Sequence, residues 1–390
     1  DEDLTVAESL QAAGYFTAGI GKWGLGNPGS AGTPEKQGFD YWFGYLDQVH
    51  AHDHFPDEIW DGGKMVELPY NKGNKKGTYI PYLLEKKALE VISEHRDDPL
   101  FLYMAVTPPH GEYVIPTDDP AYAMYDGIPG AEQVRHYAAM ITRIDQTVGK
   151  VLDLLDELDI ADNTLVFYTS DNGPNAPFAK AINSSGGLRG VKRQLYEGGI
   201  RAAMAVRWPK KIAAGTTSDF VWDMRDVYPT LCDVAGVEAP NPLDGMSVLP
   251  TLLGKPQRAR QMHYWEIHSP FQQAVRPNRR KLVIRMGSGG HDPDLEFDQV
   301  VDQVSREAVE KFSRTVEHPP AGSIDVEGRL SGCLSFRSDA GSGSELDRVG
   351  LAAKSQIGNE AEVRRTGRGF RNWMSFPNLE DGLRKVSDVE

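Results

Sequence analysis

Apolar residues recur at three- and four-residue spacing between Glu132 and Leu158: Val134, Tyr137, Ala138, Ile141, Ile144, Val148, Val151, Leu152 and Leu155. That spacing collects them on one side of a helix and predicts a long amphipathic helix over this stretch. Short unbroken apolar runs lie on either side of it. Pro99–Val106 and Thr164–Tyr168 have the pattern of buried strands, as do Phe16–Ile20 and Ala202–Trp208. Thr5-Val6-Ala7-Glu8 has the side chains of a capping box and Gly14 is a helix stop, so a short helix precedes the first strand. Further helices are predicted over Tyr82–His95 and over Trp222–Val234, the latter stopped near Gly236. Residues 24–78 are rich in Gly, Pro, Asn and aromatics and read mostly as loop, and Thr107–Pro129 reads as a second loop. Helices alternating with apolar strands predict an α/β chain with a mainly parallel sheet and helices on its faces.

The last third differs. Met262–Glu266, Gln273–Val275 and Lys281–Arg285 predict a smaller β region. Gly287-Ser288-Gly289-Gly290 is linker-like, and a helix is predicted over Leu295–Phe312. The remainder is polar, Gly/Ser-rich and weakly periodic. The expected division is a catalytic domain over 1–255, a small C-terminal β subdomain over 256–287 and a divergent, poorly ordered tail over 288–390.

With 390 residues the chain can bury a large core. A net charge of −14 argues against nucleic acid or an anionic membrane as a general partner, yet leaves room for a local basic pocket that binds a small anion. Two cysteines, Cys232 and Cys333, do not make a disulfide framework. No apolar run approaches the roughly 18 residues of a membrane span, and no signal peptide is present. The chain opens at Asp1-Glu2-Asp3-Leu4, directly before a helix signal, as a chain does that has lost its beginning.

The chemistry concentrates at Tyr168-Thr169-Ser170-Asp171-Asn172-Gly173-Pro174. Asp171 and Asn172 place two hard oxygen ligands at the carboxyl end of a strand, and Lys192 downstream offers a cation for an anion held beside them. Together they suggest a metal-assisted site for a sulfate or phosphate ester. Each residue has a plainer explanation. Asp-Asn-Gly is a common Asx turn, Lys22 and Lys192 are ordinary charges at a strand end and in a basic cluster, and His110 is a loop histidine.

Landmarks along the chain tip that balance. Gly21-Lys22-Trp23-Gly24-Leu25-Gly26, Gln37-Gly38-Phe39-Asp40, Pro108-Pro109-His110 and Tyr137-Ala138-Ala139-Met140 come first, followed by Ser170-Asp171-Asn172-Gly173 and then Lys192 with Tyr196-Glu197-Gly198-Gly199. In this order, over roughly three quarters of the chain, they resemble the sulfatase family, most closely its bacterial arylsulfatase-A-like group. The resemblance implies an alkaline-phosphatase-like α/β/α sandwich with a mainly parallel central sheet, plus a small C-terminal β subdomain. It implies hydrolysis of a sulfate ester to an alcohol and sulfate. By position, Asp171 and Asn172 would be two ligands of a Ca²⁺ or, less often, a Mg²⁺. Lys22 and Lys192 would bind sulfate oxygens, and His110 would contact sulfate and protonate the leaving alcohol. The implied partner is a sulfated small molecule or carbohydrate, and the implied location is periplasmic or secreted.

The departures are specific. The family's nucleophile is a cysteine converted to formylglycine within Cys-x-Pro/Ala-x-Arg, ahead of Lys22, and the Asp-Asp ligands of a first strand lie there too. Only 21 residues precede Lys22 and neither feature is among them, so the resemblance is to an N-terminally truncated member. Cys232 reads as a packed thiol, and Cys333-Leu334-Ser335-Phe336-Arg337 has Ser where Pro or Ala belongs. Catalysis by this chain as given is therefore expected to be impaired. Gly24 stands where many sulfatases have His, while His50-Ala51-His52-Asp53-His54 follows on an active-side loop. The similarity to a related bacterial group makes His50 or His52 the replacement imidazole. Alternate histidines on an extended segment could instead bind Zn²⁺, or the segment is a solvated loop. Two further functions stay open: a phosphate or phosphonate ester hydrolase of the same superfamily, and a non-catalytic module that binds sulfated polysaccharide.

Overall fold

The computed structural model describes residues 3–260, 262–268, 271–276, 282–286 and 293–297, with three short strands at 333–334, 349–350 and 360–365. Helix α1 (Val6–Ala12) starts on the capping box: the Thr5 hydroxyl accepts from the Glu8 amide, and the Glu8 carboxylate accepts from the Thr5 amide. Strand β1 (Phe16–Lys22) runs two residues past the expected Phe16–Ile20, so Lys22 is its last residue.

Part of the expected loop over 24–78 is sheet. β2 (Tyr41–Tyr45), β3 (Glu58–Asp61) and β4 (Lys64–Glu67) lie within it. β2 pairs in parallel with β1 in a register that sets Lys22 opposite Tyr45. Its bulk explains why it holds. Trp42 is buried and meets Trp23 and Phe39 edge-on at centroid distances of 4.9 and 5.1 Å. Helix α2 (Ile80–Glu94) covers this sheet with Ile80, Leu84 and Ala88, and leads into β5 (Leu100–Ala105), also parallel to β1. The first sheet therefore has the order β4-β3-β2-β1-β5, parallel at β2-β1-β5 and antiparallel at its outer edge. Gly21 in β1 is required: at φ +122 a Cβ there would lie 2.0 Å from the Ala105 carbonyl oxygen.

Helix α3 (Pro120–Ala123) is one turn in the loop after β5, and α4 (Glu132–Glu157) is the long amphipathic helix. A buried Glu85 fastens α2 to α4 through Arg143 at 2.7 Å, the Thr147 hydroxyl at 2.7 Å and Lys150 at 2.5 Å. Strand β6 (Val166–Tyr168) precedes α5 (Ala176–Ile182) and α6 (Glu197–Ile200). β7 (Arg201–Arg207) pairs antiparallel with β6. β8 (Thr217–Trp222) joins the same sheet through a strand at Glu360–Arg365. Trp222 thus ends a strand rather than starting the expected helix. The helix is α7 (Val227–Ala235), entered by a 3₁₀ turn that Asp223 caps and left through Gly236 at φ +71. Val151, Leu152 and Leu155 of α4 pack in one cluster with Ile92 and Ala205, against which Leu102, Met104, Val166 and Tyr168 lie.

After α8 (Leu249–Leu252) the C-terminal β region is a four-stranded antiparallel sheet in the order β12-β11-β10-β9. Its strands are β9 (His263–His268), β10 (Phe271–Arg276), β11 (Leu282–Met286) and β12 (Pro293–Phe297). β12 corrects the expected helix at Leu295–Phe312: its start is a strand paired with β11. The rest of that helix, the Gly287–Gly290 linker and most of the tail lie outside the described residues. Among the described residues no helix is long and apolar enough to cross a membrane.

Candidate active site

Three strand ends meet on one side of the molecule. β1 delivers Lys22, after which the chain follows β2: the Trp23 amide donates to the Tyr45 carbonyl at 2.8 Å and the Gly24 amide to that of Leu46 at 2.9 Å. β5 leads to Thr107, whose carbonyl accepts from the His110 amide at 3.0 Å and turns His110 outward. β6 leads to Asp171 and Asn172. Their turn is docked on α6, because the Gly173 amide donates to the Gly199 carbonyl at 2.9 Å. A Cβ at Gly173 would lie 1.9 Å from the Gly198 carbonyl oxygen. The Lys192 amide in turn donates to the Pro174 carbonyl at 2.9 Å, so the two motifs are tied backbone to backbone. Asp171, Asn172, Lys192, Arg193, Gln194, Leu195, Gly199, Ile200 and Ile267 line a cavity of about 380 Å³.

The charges of these groups are felt across the site. His110 is exposed at one edge, yet packing beneath it pushes its imidazole down to about 4. The Lys192, Lys22 and His52 charges act in the same direction and Asp171 against it. Partial burial holds the Lys192 ammonium below its ordinary range; Lys22 and Arg193 add to that and Asp171 opposes it. Tyr103 is exposed along part of its side chain, yet packing around it raises its phenol, helped by Asp171. The site is thus a cluster of cations and an imidazole around one carboxylate, the arrangement that favours an anion with spread negative charge.

The histidine segment is not extended. His50–His52 is a 3₁₀ turn, which removes the alternation on which a Zn²⁺ site was expected to rest. His50 sits edge-on to Tyr45 at 5.2 Å, whereas His52 lies over His110 at 4.8 Å. His54 is fully buried and its Nε2 donates to the His110 carbonyl at 3.0 Å. Among the described residues no three His, Cys, Asp or Glu side chains converge to hold a metal. Asp171 and Asn172 suit a hard cation in kind, one carboxylate and one amide oxygen, but supply two of the roughly six to eight oxygens that Ca²⁺ takes.

Cys232 is buried in α7 and its thiol is raised by burial, so it packs rather than reacts. Arg276 lies 3.6 Å from the buried Glu197. Cavity residues that the pattern did not single out are Gln194, Leu195, Ile200 and Ile267.

A family model described as Sulfatase matches residues 1–237. N-acetylgalactosamine-6-sulfatase of Homo sapiens is 32% identical over 268 residues, covering 65% of this chain and 49% of that protein. Arylsulfatase A of Homo sapiens is 32% identical over 284 residues, covering 67% of this chain and 53% of that protein. The chain spans about half the length of these relatives. The solved structure of Ps i-CgsB in complex with k-i-k-neocarrahexaose shares the fold at a TM-score of 0.66 and 24% identity, over 80% of this chain and 72% of that one. The mixed sheet with helices on its faces is accordingly the alkaline-phosphatase-like α/β fold. With well over half of its residues matched by one family, this chain belongs to the sulfatase family.

Proposed function

We propose that this chain forms the sulfate-binding part of a sulfatase-family active site, in a protein that hydrolyses a sulfate ester. In that reaction water adds at sulfur, the ester S–O bond breaks, and an alcohol and sulfate leave. The observation that carries the reading is the mutual electrostatic reach of Lys22, His110, Lys192 and Asp171 at the ends of β1, β5 and β6.

Lys22 and Lys192 hold sulfuryl oxygens, where charge resides as the S–O bond lengthens. His110 contacts the sulfate and gives its proton to the leaving oxygen. In the free site it is neutral at pH 7, since its imidazole titrates at about 4. An anion set between the two lysines offsets their charge and raises it, so protonation of His110 is coupled to occupancy. His52, whose ring lies beside that of His110, is the accessory imidazole rather than His50. Asp171 and Asn172 are oxygen donors for a Ca²⁺ or Mg²⁺. That cation, when bound, supplies positive charge beside the sulfuryl oxygens.

The 390 residues contain no Cys-x-Pro/Ala-x-Arg, so no residue here takes the formylglycine role. A site of several parts loses most of its rate without its nucleophile, so this chain is proposed to bind sulfate esters with little or no turnover. The relatives' names favour a carbohydrate sulfate as ligand, and the family favours a periplasmic or secreted location. Equilibrium binding of an aryl sulfate and the matched aryl phosphate, with and without calcium, tests the reading. Preference for the sulfate supports it. Preference for the phosphate moves the chain to the phosphate-ester branch of the fold, and binding of neither defeats both.

A further inference from the structure

The antiparallel sheet of the C-terminal region rests on the loop that carries Lys192. Leu195, Tyr196 and Ile200 pack in one apolar cluster with Trp265, Ala274 and Val283. Ile267 of β9 reaches the cavity wall, and its partner across the strands is Gln272 of β10. Gln272 is 2% exposed and points its carboxamide at the same loop. The Leu195 amide donates to Gln272 Oε1 at 3.3 Å, and Gln272 Nε2 donates to the Arg193 carbonyl at 3.2 Å. One planar group thereby grips the backbone on both sides of Gln194. The grip falls on a strained turn. Arg193 has φ +70, a left-handed conformation that costs a non-glycine residue about 1 kcal/mol or more. On its other flank the Lys192 amide is tied to the Pro174 carbonyl at 2.9 Å, and the Gln194 amide closes a turn on Val191 at 3.0 Å.

We propose that Gln272 is a positioning residue: its carboxamide holds the left-handed turn at Arg193 so that Lys192 meets the anion in a fixed geometry. This rests on the reading of Lys192 as a sulfate contact. The C-terminal sheet is then part of the site's machinery and more than a cover for it. Glutamine suits the task because it presents a donor and an acceptor side by side. Methionine has similar volume and would satisfy a role in packing alone.

The test uses the full chain with inorganic sulfate as probe, and compares Gln272→Met, Gln272→Glu and a control, Gln273→Met. Gln273 lies on the same strand and donates instead to the Tyr264 hydroxyl and to Glu266, each at 2.8 Å. Gln272→Met is expected to speed amide exchange over residues 191–200 about tenfold and to weaken sulfate binding about tenfold. Exchange elsewhere and the control variant should stay at parental values. Gln272→Glu keeps volume but turns an acceptor on the Arg193 carbonyl, and should lose affinity in the same direction; it decides the matter if Gln272→Met does not fold. A parent that binds sulfate and a Gln272→Met variant that binds it equally well would overturn the proposal alone. So would lost affinity with unchanged exchange over 191–200. A parent with no affinity for sulfate would overturn the functional reading, and the proposal with it.

Discussion

The rings of His52 and His110 lie 4.8 Å apart and are tilted by 31°, although 58 positions separate them in the chain. The backbone builds this pair. The Glu112 amide donates to the His52 carbonyl at 3.0 Å, and Gly111, at φ +92, allows the approach, since a Cβ there would sit 2.5 Å from that carbonyl oxygen. Two imidazoles so placed resist becoming charged together. Replacing His52 by Ala should therefore raise the titration point of His110 from about 4, while His50→Ala should leave it in place. The rise should fall short of the ordinary histidine value, because burial, Lys192 and Lys22 still act. Following the imidazole proton resonances against pH checks this. An unmoved His110 in the His52→Ala protein would contradict it.

His54 makes stability depend on pH. It is fully buried and burial pushes it down to about 4, whereas an unfolded chain returns it to about 6.5. Between those values the unfolded state binds the extra proton, so stability is complete above about 6.5 and falls as pH drops toward about 4. The loss amounts to about 3 kcal/mol. In His54→Asn this part of the slope should vanish, which urea unfolding at several pH values would reveal. An equal slope in both proteins would place the acid sensitivity elsewhere.

Glu85 is the buried hub between α2 and α4. Burial opposes its ionisation, but Lys150, Thr147 and Arg143 hold its carboxyl below the usual range. Its contribution is thus present at neutral pH and lost as pH falls through that lowered value. Glu85→Ala leaves Arg143 without its 2.7 Å partner in a half-dry setting. A cost of about 3–5 kcal/mol is expected, read as a lower urea midpoint at pH 7.

Gly173→Ala separates docking of the Asp171–Asn172 turn from the chemistry of its side chains. The added Cβ would meet backbone oxygen at 1.9 Å, so the turn must shift away from α6. The expected result is weakened binding of both calcium and sulfate, with about 1–3 kcal/mol lost from stability. Isothermal titration beside thermal melting measures both, and a variant that binds like its parent would show that the turn tolerates displacement.

The parts that sequence made legible are those governed by one periodicity. The predicted helix Glu132–Leu158 matches α4 because its apolar stripe is long, and β5 and β6 stand out as short apolar runs between turns. β2 was hidden because Tyr41-Trp42-Phe43-Gly44-Tyr45 lies among glycines and prolines, and its stability comes from aromatic packing with distant Trp23 and Phe39. Trp222 read as helix because the capping turn at Asp223 that divides β8 from α7 is a local hydrogen-bond pattern, not a period. In the candidate site, Lys22, His110, Asp171 and Lys192 were visible as motifs at element ends. His52 and His50 were indistinguishable until the 3₁₀ turn sent them to different neighbours. Ile267 and Gln272 reach the site only through tertiary contact, which no local pattern encodes.

The central claim is that Lys192 and the Asp171–Asn172 pair serve one anion. The most direct measurement is sulfate affinity of the full chain with and without calcium, repeated for Lys192→Met and Asp171→Ala. Calcium should tighten sulfate binding to the parent. Lys192→Met should weaken it about 10- to 100-fold at any calcium level. Asp171→Ala should abolish the calcium effect. Sulfate binding that ignores calcium and survives both substitutions would contradict the account.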